Sequence, residues 1–329
     1  MNNRMKLMVW IGALLFSSLG CNAATKLIHQ DEPVVPTLPA RAAQDISCPS
    51  VLSQIMMAAT TPGSHKAAQQ ETYLVTYDVM GDKLSNPVFQ TVSSDFESEQ
   101  NDLATQKHIW EYFASLIPER NRRMITNYSV LTDGKDNVLS AVAQTLADPK
   151  HWVLEVDIAD AEDYGNLTFT MIHEYGHLLT LNADQVPPDM IVFNHPGNKD
   201  IFQQESAMCS SYFSGEGCSK PDSYINQFYQ RFWGDIYTEW SQIDQIDDMG
   251  LYYEKMNEFY KHHKDRFVSE YASTNPGEDI AESWAYFVLM PKPTGNTAAH
   301  QKVLFFYEHP ELVQLRAEIL NRLCAVYPD

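Results

Sequence analysis

The segment from Thr170 to Leu179 contains the residues best suited to chemistry. It includes His173-Glu174-x-x-His177 within an apolar frame. On an α-helix, side chains four positions apart lie on one face, so the two histidines can bind one metal ion. Neutral imidazoles suit Zn²⁺, which takes three protein ligands plus a water in catalytic sites. Glu174, beside the first ligand, is placed to take a proton from that water.

The residues around this motif predict a buried helix. Apolar side chains recur at helical spacing at Leu167, Met171, Ile172, Tyr175, Leu178 and Leu179. Polar groups in such a helix are costly to bury without partners, which favours a metal site over a chance match. Gly176 permits close approach of another backbone, although glycine weakens a helix by about 1 kcal/mol relative to alanine.

A third ligand does not come from an extension of the same motif. Metzincins continue it with a glycine and a further histidine, but here those positions are Thr180 and Ala183. The metzincin pattern is therefore excluded.

The segment 271–285 is the best source of the third ligand. Asn275-Pro276 predicts a helix start, and acidic residues follow in the first turn, where the helix dipole favours them. Glu278 and Glu282 are four apart and share one face among apolar neighbours. A solvated acidic helix start is the alternative.

These residues resemble the gluzincin-type peptidase domain of anthrax lethal factor and its relatives, which include proline-specific secreted endopeptidases. In that family a tyrosine follows the His-Glu-x-x-His helix, then a ligand glutamate, then a second glutamate. Tyr271, Glu278 and Glu282 reproduce those offsets. The resemblance covers 151–182 and 271–289.

The resemblance implies a role for each matched residue. The implied zinc ligands are His173, His177 and Glu278. Glu174 would be the general base, Tyr271 would donate its hydroxyl to the developing oxyanion, and Glu282 would orient a histidine ligand. The implied activity is that of a metalloendopeptidase with one zinc ion per chain, acting on a peptide or protein.

Strands are predicted on the N-terminal side of the motif, at 71–79, 124–131 and 151–158. In zincin-fold peptidases an edge strand directly before the motif helix lines the cleft, and an exposed edge can pair with an extended peptide. The strand at 151–158 is predicted to be that edge, with an ordinary sheet strand as the alternative. Residues 137–147 predict a short helix.

The chain beyond the motif is mainly helical, over 223–243, 251–267 and 310–326. His262 and His263 are adjacent within a predicted helix, so they should point to different faces and favour solvent over a metal. The predicted fold class is α+β, a zincin-like metallopeptidase domain. It combines a mixed sheet and active-site helix with a mainly helical C-terminal half.

The predicted catalytic domain spans 46–329, with an α/β part at about 46–182 and a helical part at about 183–329. The chain has 329 residues and a formal net charge of −20. Phosphate binding needs clustered Lys and Arg, so this charge argues against nucleic acid as a partner.

The N-terminus predicts export. Residues 1–21 have a basic start and an apolar run, ending at Cys21 in a sequence that resembles a bacterial lipobox. Lipidation of Cys21 would anchor the protein to a membrane of the cell envelope, with 22–45 as a polar tether. Ordinary cleavage after Ala23 or Ala24, giving a secreted protein, is the alternative.

Cysteine usage fits an exported protein, because four cysteines remain beside Cys21. Cys209 and Cys218 flank a short glycine-containing loop and are predicted to pair. Cys48 and Cys324 would then link the start of the domain to its end. A second metal site is the competing interpretation, but it lacks close Cys-x-x-Cys pairs.

Two further functions remain open from the sequence. A zinc hydrolase could act on a non-peptide amide such as cell wall. A non-catalytic surface protein could keep the scaffold for binding.

Overall fold

The computed structural model describes residues 48–59, 71–134 and 139–326. The predicted signal peptide at 1–21, the lipidation site Cys21 and the tether at 22–45 lie outside the described residues. Among the helices that are described, none has the length and apolar character needed to cross a membrane.

The N-terminal half of the described chain contains one five-stranded sheet, with the strand order β2-β1-β3-β5-β4. Its strands are β1 (Thr72–Met80), β2 (Lys83–Phe89), β3 (Ile125–Thr132), β4 (Ser140–Gln144) and β5 (Trp152–Asp157). β3 and β5 are parallel, and the other neighbouring pairs are antiparallel. The three predicted strands are confirmed, and the sheet is mixed as predicted.

The prediction of a helix at 137–147 was wrong, because this part of the chain holds β4. Its alanines favour a helix, but backbone pairing with β5 overrides that local preference. The prediction that β5 is the edge was also wrong: β5 lies between β3 and β4, and β4 is the edge. The exposed edge therefore still lies beside the motif helix, one strand further out.

Hydrogen bonds at both ends of β4 show which backbone groups face outward. Asp157 N donates to Leu139 O over 2.8 Å, and Thr145 N donates to His151 O over 2.9 Å. In an antiparallel pair such bonds recur at alternate residues. The backbone groups of the residues between, at 140, 142 and 144, therefore point away from β5.

Helices dominate the rest of the described chain. The described α-helices are α1 (Pro49–Ala59), α2 (Glu97–Asn101), α3 (Leu103–Leu116), α4 (Tyr164–Leu181), α5 (Met190–Phe193), α6 (Lys199–Met208), α7 (Tyr224–Phe232), α8 (Tyr237–Asp244), α9 (Met249–His262), α10 (Pro276–Leu289), α11 (Ala298–Tyr307) and α12 (Pro310–Val326). The predicted helix at 223–243 is divided into α7 and α8. The α+β class is confirmed.

Helices α4 and α10 are in close contact at Gly176. A Cβ built on Gly176 would lie 2.9 Å from Ala281 Cα and 3.1 Å from Trp284 Cδ1. Only a residue without a side chain allows this approach. The close approach predicted for Gly176 is therefore confirmed, and it sets the spacing between the two helices.

One contiguous apolar cluster draws on both halves of the described chain. It includes Leu154 and Val156 from the sheet, Ile172 from α4, and Trp233 and Trp284 from the C-terminal half. The metal-motif helix thus lies inside the core, as its apolar pattern predicted. The division into parts at about residue 182 stays a prediction.

Two disulfides are present, with the predicted pairing. Cys48 and Cys324 are bonded across a sequence separation of 276, with Cα atoms 5.6 Å apart. Cys209 and Cys218 are bonded across a separation of 9. The long-range bond fastens the start of α1 to α12, and α1 packs against α4, where Ala58 lies beside Gly165.

The first prediction concerns the α4–α10 contact. Gly176→Ala should gain about 1 kcal/mol of helix propensity but lose about 1–3 kcal/mol through overpacking, so the protein should be destabilised. Gly250→Ala in α9 is the matched control, because only Asp248 Oδ1 lies near its Cβ position, at 3.3 Å. Denaturant unfolding of both variants checks this. A Gly176→Ala variant as stable as the control would contradict the packing argument.

The second prediction concerns the disulfides. Replacing both cysteines of Cys48–Cys324 with alanine should cost about 6 kcal/mol in the chain-entropy model, against about 3 kcal/mol for Cys209–Cys218, because the longer loop restricts the unfolded chain more. The free energy of unfolding is measured for both double variants, and each serves as the control for the other. Peptide mapping of unreduced protein should recover both linked pairs, and free thiols at these positions would refute them.

Candidate metal centre

Helix α4 carries the two histidines on one face. It begins at a cap formed by Asp163, whose Oδ1 accepts from Gly165 N over 3.0 Å and from Asn166 N over 3.1 Å. The Nε2 atoms of His173 and His177 lie 3.1 Å apart, with the rings close to perpendicular at 78°. The i, i+4 spacing therefore brings the two nitrogens to one point, as predicted.

Helix α10 brings a carboxylate to the same point. Asn275 caps this helix by accepting from Glu278 N over 2.9 Å, and Pro276 occupies its first turn, so the predicted helix start is confirmed. Glu278 Oε2 lies 3.1 Å from His173 Nε2 and 3.3 Å from His177 Nε2. Two segments that are distant in sequence thus supply one cluster of three donor atoms.

The other side of the His173 ring shows why this cluster fits a metal. Nδ1 lies 3.1 Å from Glu282 Oε1 in an ion-pair contact, while Glu282 Oε2 accepts from Ser269 Oγ over 2.6 Å. We assign the proton of the neutral ring to Nδ1. The lone pair of Nε2 then faces the other two candidate metal-binding atoms, His177 Nε2 and Glu278 Oε2. Two imidazoles and a carboxylate are a donor set used for catalytic zinc.

The pKa values of Glu278 and His173 show that the Glu278 carboxylate is stabilised by positive charge beside it. Burial would raise the pKa of Glu278, but the adjacent His177 and His173 outweigh it and hold that pKa well below its usual range. Burial lowers the pKa of His173, but Glu278 and Glu282 outweigh it and raise that pKa well above the ordinary value. A metal cation bound to Nε2 would neutralise the same carboxylate and leave the ring neutral, with its single proton on Nδ1.

Glu174 lies beside the cluster and is itself buried, with 6% of its surface exposed. Burial raises its pKa to about 7, although His173 and His177 act in the opposite direction. The backbone N–H of Val142, on the outward side of β4, lies close enough to the carboxylate to act against this rise in its pKa. This contact with the edge strand was missed from sequence, because β4 itself was not predicted.

Tyr271 borders the cluster on its open side. Its ring centroid lies 5.7 Å from that of His173, and 43% of its surface is exposed. Burial, together with the charge of Glu278, raises the pKa of Tyr271 well above its ordinary value. The hydroxyl therefore stays protonated at neutral pH and can act as a donor.

A buried polar contact supports the first turn of α10. Asp279 Oδ2 accepts from Lys302 Nζ over 2.5 Å and from Trp233 Nε1 over 2.7 Å. Asp279 and Lys302 are both fully buried. Trp240 Nε1 donates to Thr274 O over 2.7 Å. The aromatic helices between the two motif segments therefore brace the carboxylate-bearing helix, which sequence reasoning did not foresee.

The prediction that His262 and His263 point to different faces was wrong. Their rings are stacked, with centroids 4.6 Å apart and planes at 11°. α9 ends at His262, so His263 leaves the helical repeat and turns to the same side. His263 Nε2 lies 2.9 Å from Glu239 Oε2, next to the exposed Lys261 and Lys264.

Comparison with known proteins finds one family. A family model described as "Putative zinc-binding metallo-peptidase" matches residues 212–326. The matched region holds Tyr271, Glu278 and Glu282 but leaves out α4. No curated protein and no solved structure gives a match. The family match supports a zinc-binding peptidase.

Proposed function

We propose that this chain is a zinc-dependent metalloendopeptidase with a zincin-like fold. The observation that carries the proposal is the convergence of His173 Nε2, His177 Nε2 and Glu278 Oε2 on one point, with Glu174 adjacent. These residues would hold one zinc ion. Zinc bound there supplies a Lewis acid that lowers the pKa of a water toward neutrality and polarises a carbonyl.

The surrounding side chains have distinct tasks in the proposed hydrolysis. Glu174, with a pKa raised to about 7, takes a proton from the attacking water and passes it to the leaving amine. Tyr271 donates its hydroxyl to the oxygen that gains negative charge. Glu282 and Ser269 hold the ring of His173 in orientation.

The edge strand β4 provides the surface along which a peptide would bind. Its outward backbone groups at 140, 142 and 144 point away from β5, toward the side on which an extended substrate would pair. Pairing there would bring a peptide bond past the general base. This arrangement supports a peptide or protein substrate.

We also propose that the protein is exported and held in the cell envelope by a lipid on Cys21, with secretion as the alternative. The disulfides Cys48–Cys324 and Cys209–Cys218 support an oxidising compartment.

The third prediction concerns the general base. Glu174→Gln should keep zinc, because the three donor atoms remain, but should lose at least about 10²-fold in turnover. Zinc content and hydrolysis of a peptide library, measured together, check this. A zinc-loaded variant with near-normal turnover would contradict the role of Glu174.

Adding peptidoglycan as a second substrate to this assay separates the alternative functions. Wild-type protein that cleaves peptidoglycan but no peptide would be a cell-wall amide hydrolase. Wild-type protein that binds zinc but cleaves neither would be a non-catalytic binding protein.

The fourth prediction ranks the residues around the metal. Glu278→Ala should lose zinc on dialysis against a weak chelator, because two histidines are too few for a stable catalytic site. Glu282→Ala should keep most of its zinc, with affinity or activity reduced about 10–100-fold. Tyr271→Phe should keep zinc fully and lose rate. If Glu282→Ala is the variant without metal, the two glutamates are assigned in the wrong order.

A further inference from the structure

One hydroxyl beside the metal centre is bonded to two separate parts of it. Ser269 Oγ donates to Glu282 Oε2 over 2.6 Å, and the same oxygen accepts from Ala272 N over 3.1 Å. A hydroxyl has one hydrogen to donate and lone pairs to accept, so both bonds can form together. Ser269 therefore joins a side chain of α10 to the backbone of the turn that carries Tyr271.

The bond to Glu282 leads to the metal-binding ring. Glu282 is buried, with 5% of its surface exposed, and its other oxygen lies 3.1 Å from His173 Nδ1. A carboxylate that a donor holds at one oxygen is restrained from rotating away from the ring at the other. Ser269 thus helps to keep His173 Nε2 directed at His177 and Glu278.

The bond from Ala272 leads to the proposed oxyanion donor. Tyr271–Ser273 is a short 3-10 helix, in which Ser273 N donates to Glu270 O over 3.0 Å. Ala272 is fully buried, and its N–H donates to the Ser269 hydroxyl. A buried N–H needs an acceptor, so loss of this hydroxyl would favour a shift of the turn.

Tyr271 depends on that turn for its position. Its ring centroid lies 5.7 Å from that of His173, yet 43% of its surface is exposed. Because packing covers only part of this side chain, the backbone of the turn sets where the Tyr271 hydroxyl lies relative to the metal-binding ring.

Resting on the proposed peptidase function, we infer that Ser269 is a positioning residue that couples the Tyr271 hydroxyl to the orientation of the His173 ring. The simpler role for Ser269 is to cap the turn. A cap needs only an acceptor for Ala272 N, whereas this hydroxyl also donates its hydrogen to the buried carboxylate behind a metal ligand. That second bond carries the inference.

The test measures two properties of full-length protein. Zinc affinity is measured by competition with a chelator, and kcat and KM are measured at saturating zinc with a peptide that wild type cleaves. Ser269→Ala should lower zinc affinity and kcat, each by about 10–100-fold. KM should change little, because the Tyr271 hydroxyl acts on the transition state. Ser269→Thr keeps the hydroxyl and should restore both properties.

Ser273→Ala is the matched control, because it removes a hydroxyl from the same turn. Ser273 is buried, and its Oγ donates over 2.7 Å to a backbone oxygen, Glu270 O, rather than to Glu282. Zinc affinity and kcat of this variant should stay close to the wild-type values. If Ser269→Ala does not fold, Ser269→Val replaces it, since valine has the shape of threonine without the hydroxyl.

Double-mutant cycles separate coupling from a general loosening of the structure. In Glu282→Ala protein, adding Ser269→Ala should cause no further loss of zinc affinity, because the contact with His173 is already gone. In Tyr271→Phe protein, adding Ser269→Ala should lower kcat much less than it does in wild type, because the hydroxyl that Ser269 positions is absent.

Three results would overturn the inference. Wild-type zinc affinity and kcat in Ser269→Ala would refute it directly. Equal fold losses from Ser269→Ala in all three backgrounds would show that Ser269 only stabilises the turn. Zinc-loaded wild type that cleaves no peptide would refute the proposed function and the coupling to Tyr271, while the zinc-affinity cycle with Glu282 would still decide the effect on His173.

Discussion

The contact between α4 and α10 at Gly176 is the constraint on which the metal centre depends. The two helices approach so closely that a methyl group on Gly176 would overlap Ala281. One turn away, the same approach brings Glu278 to the two histidines of α4. Separating the helices would lengthen both distances from Glu278 Oε2 to the histidine nitrogens, so the packing of the two helices sets the geometry of the metal centre.

The ionisable groups buried around the metal centre need hydrogen-bond or ion-pair partners. Lys302 and Trp233 satisfy Asp279 Oδ2, and Ser269 bonds the glutamate behind His173. A buried ion pair such as Asp279–Lys302 adds little net stability but becomes strongly unfavourable when one partner is removed. Its role here is positional, because it fixes the first turn of the helix that carries Glu278.

The sequence predicted the parts of the site that depend on local spacing. The i, i+4 histidines and the Asn275-Pro276 helix start were found as predicted. Outside the site, spacing also predicted Cys209–Cys218, and the even number of cysteines then left Cys48 to pair with Cys324. Contacts set by distant pairing were missed: β4 was assigned as a helix because alanine-rich local propensity does not reveal the partner strand.

Anomalous X-ray scattering at the zinc absorption edge, from crystals of zinc-loaded protein, would locate the metal itself. We expect one strong peak with His173 Nε2, His177 Nε2 and a Glu278 oxygen all at about 2.0–2.2 Å. The absence of a peak there, or a principal peak between Glu239 and the stacked pair His262–His263, would contradict it.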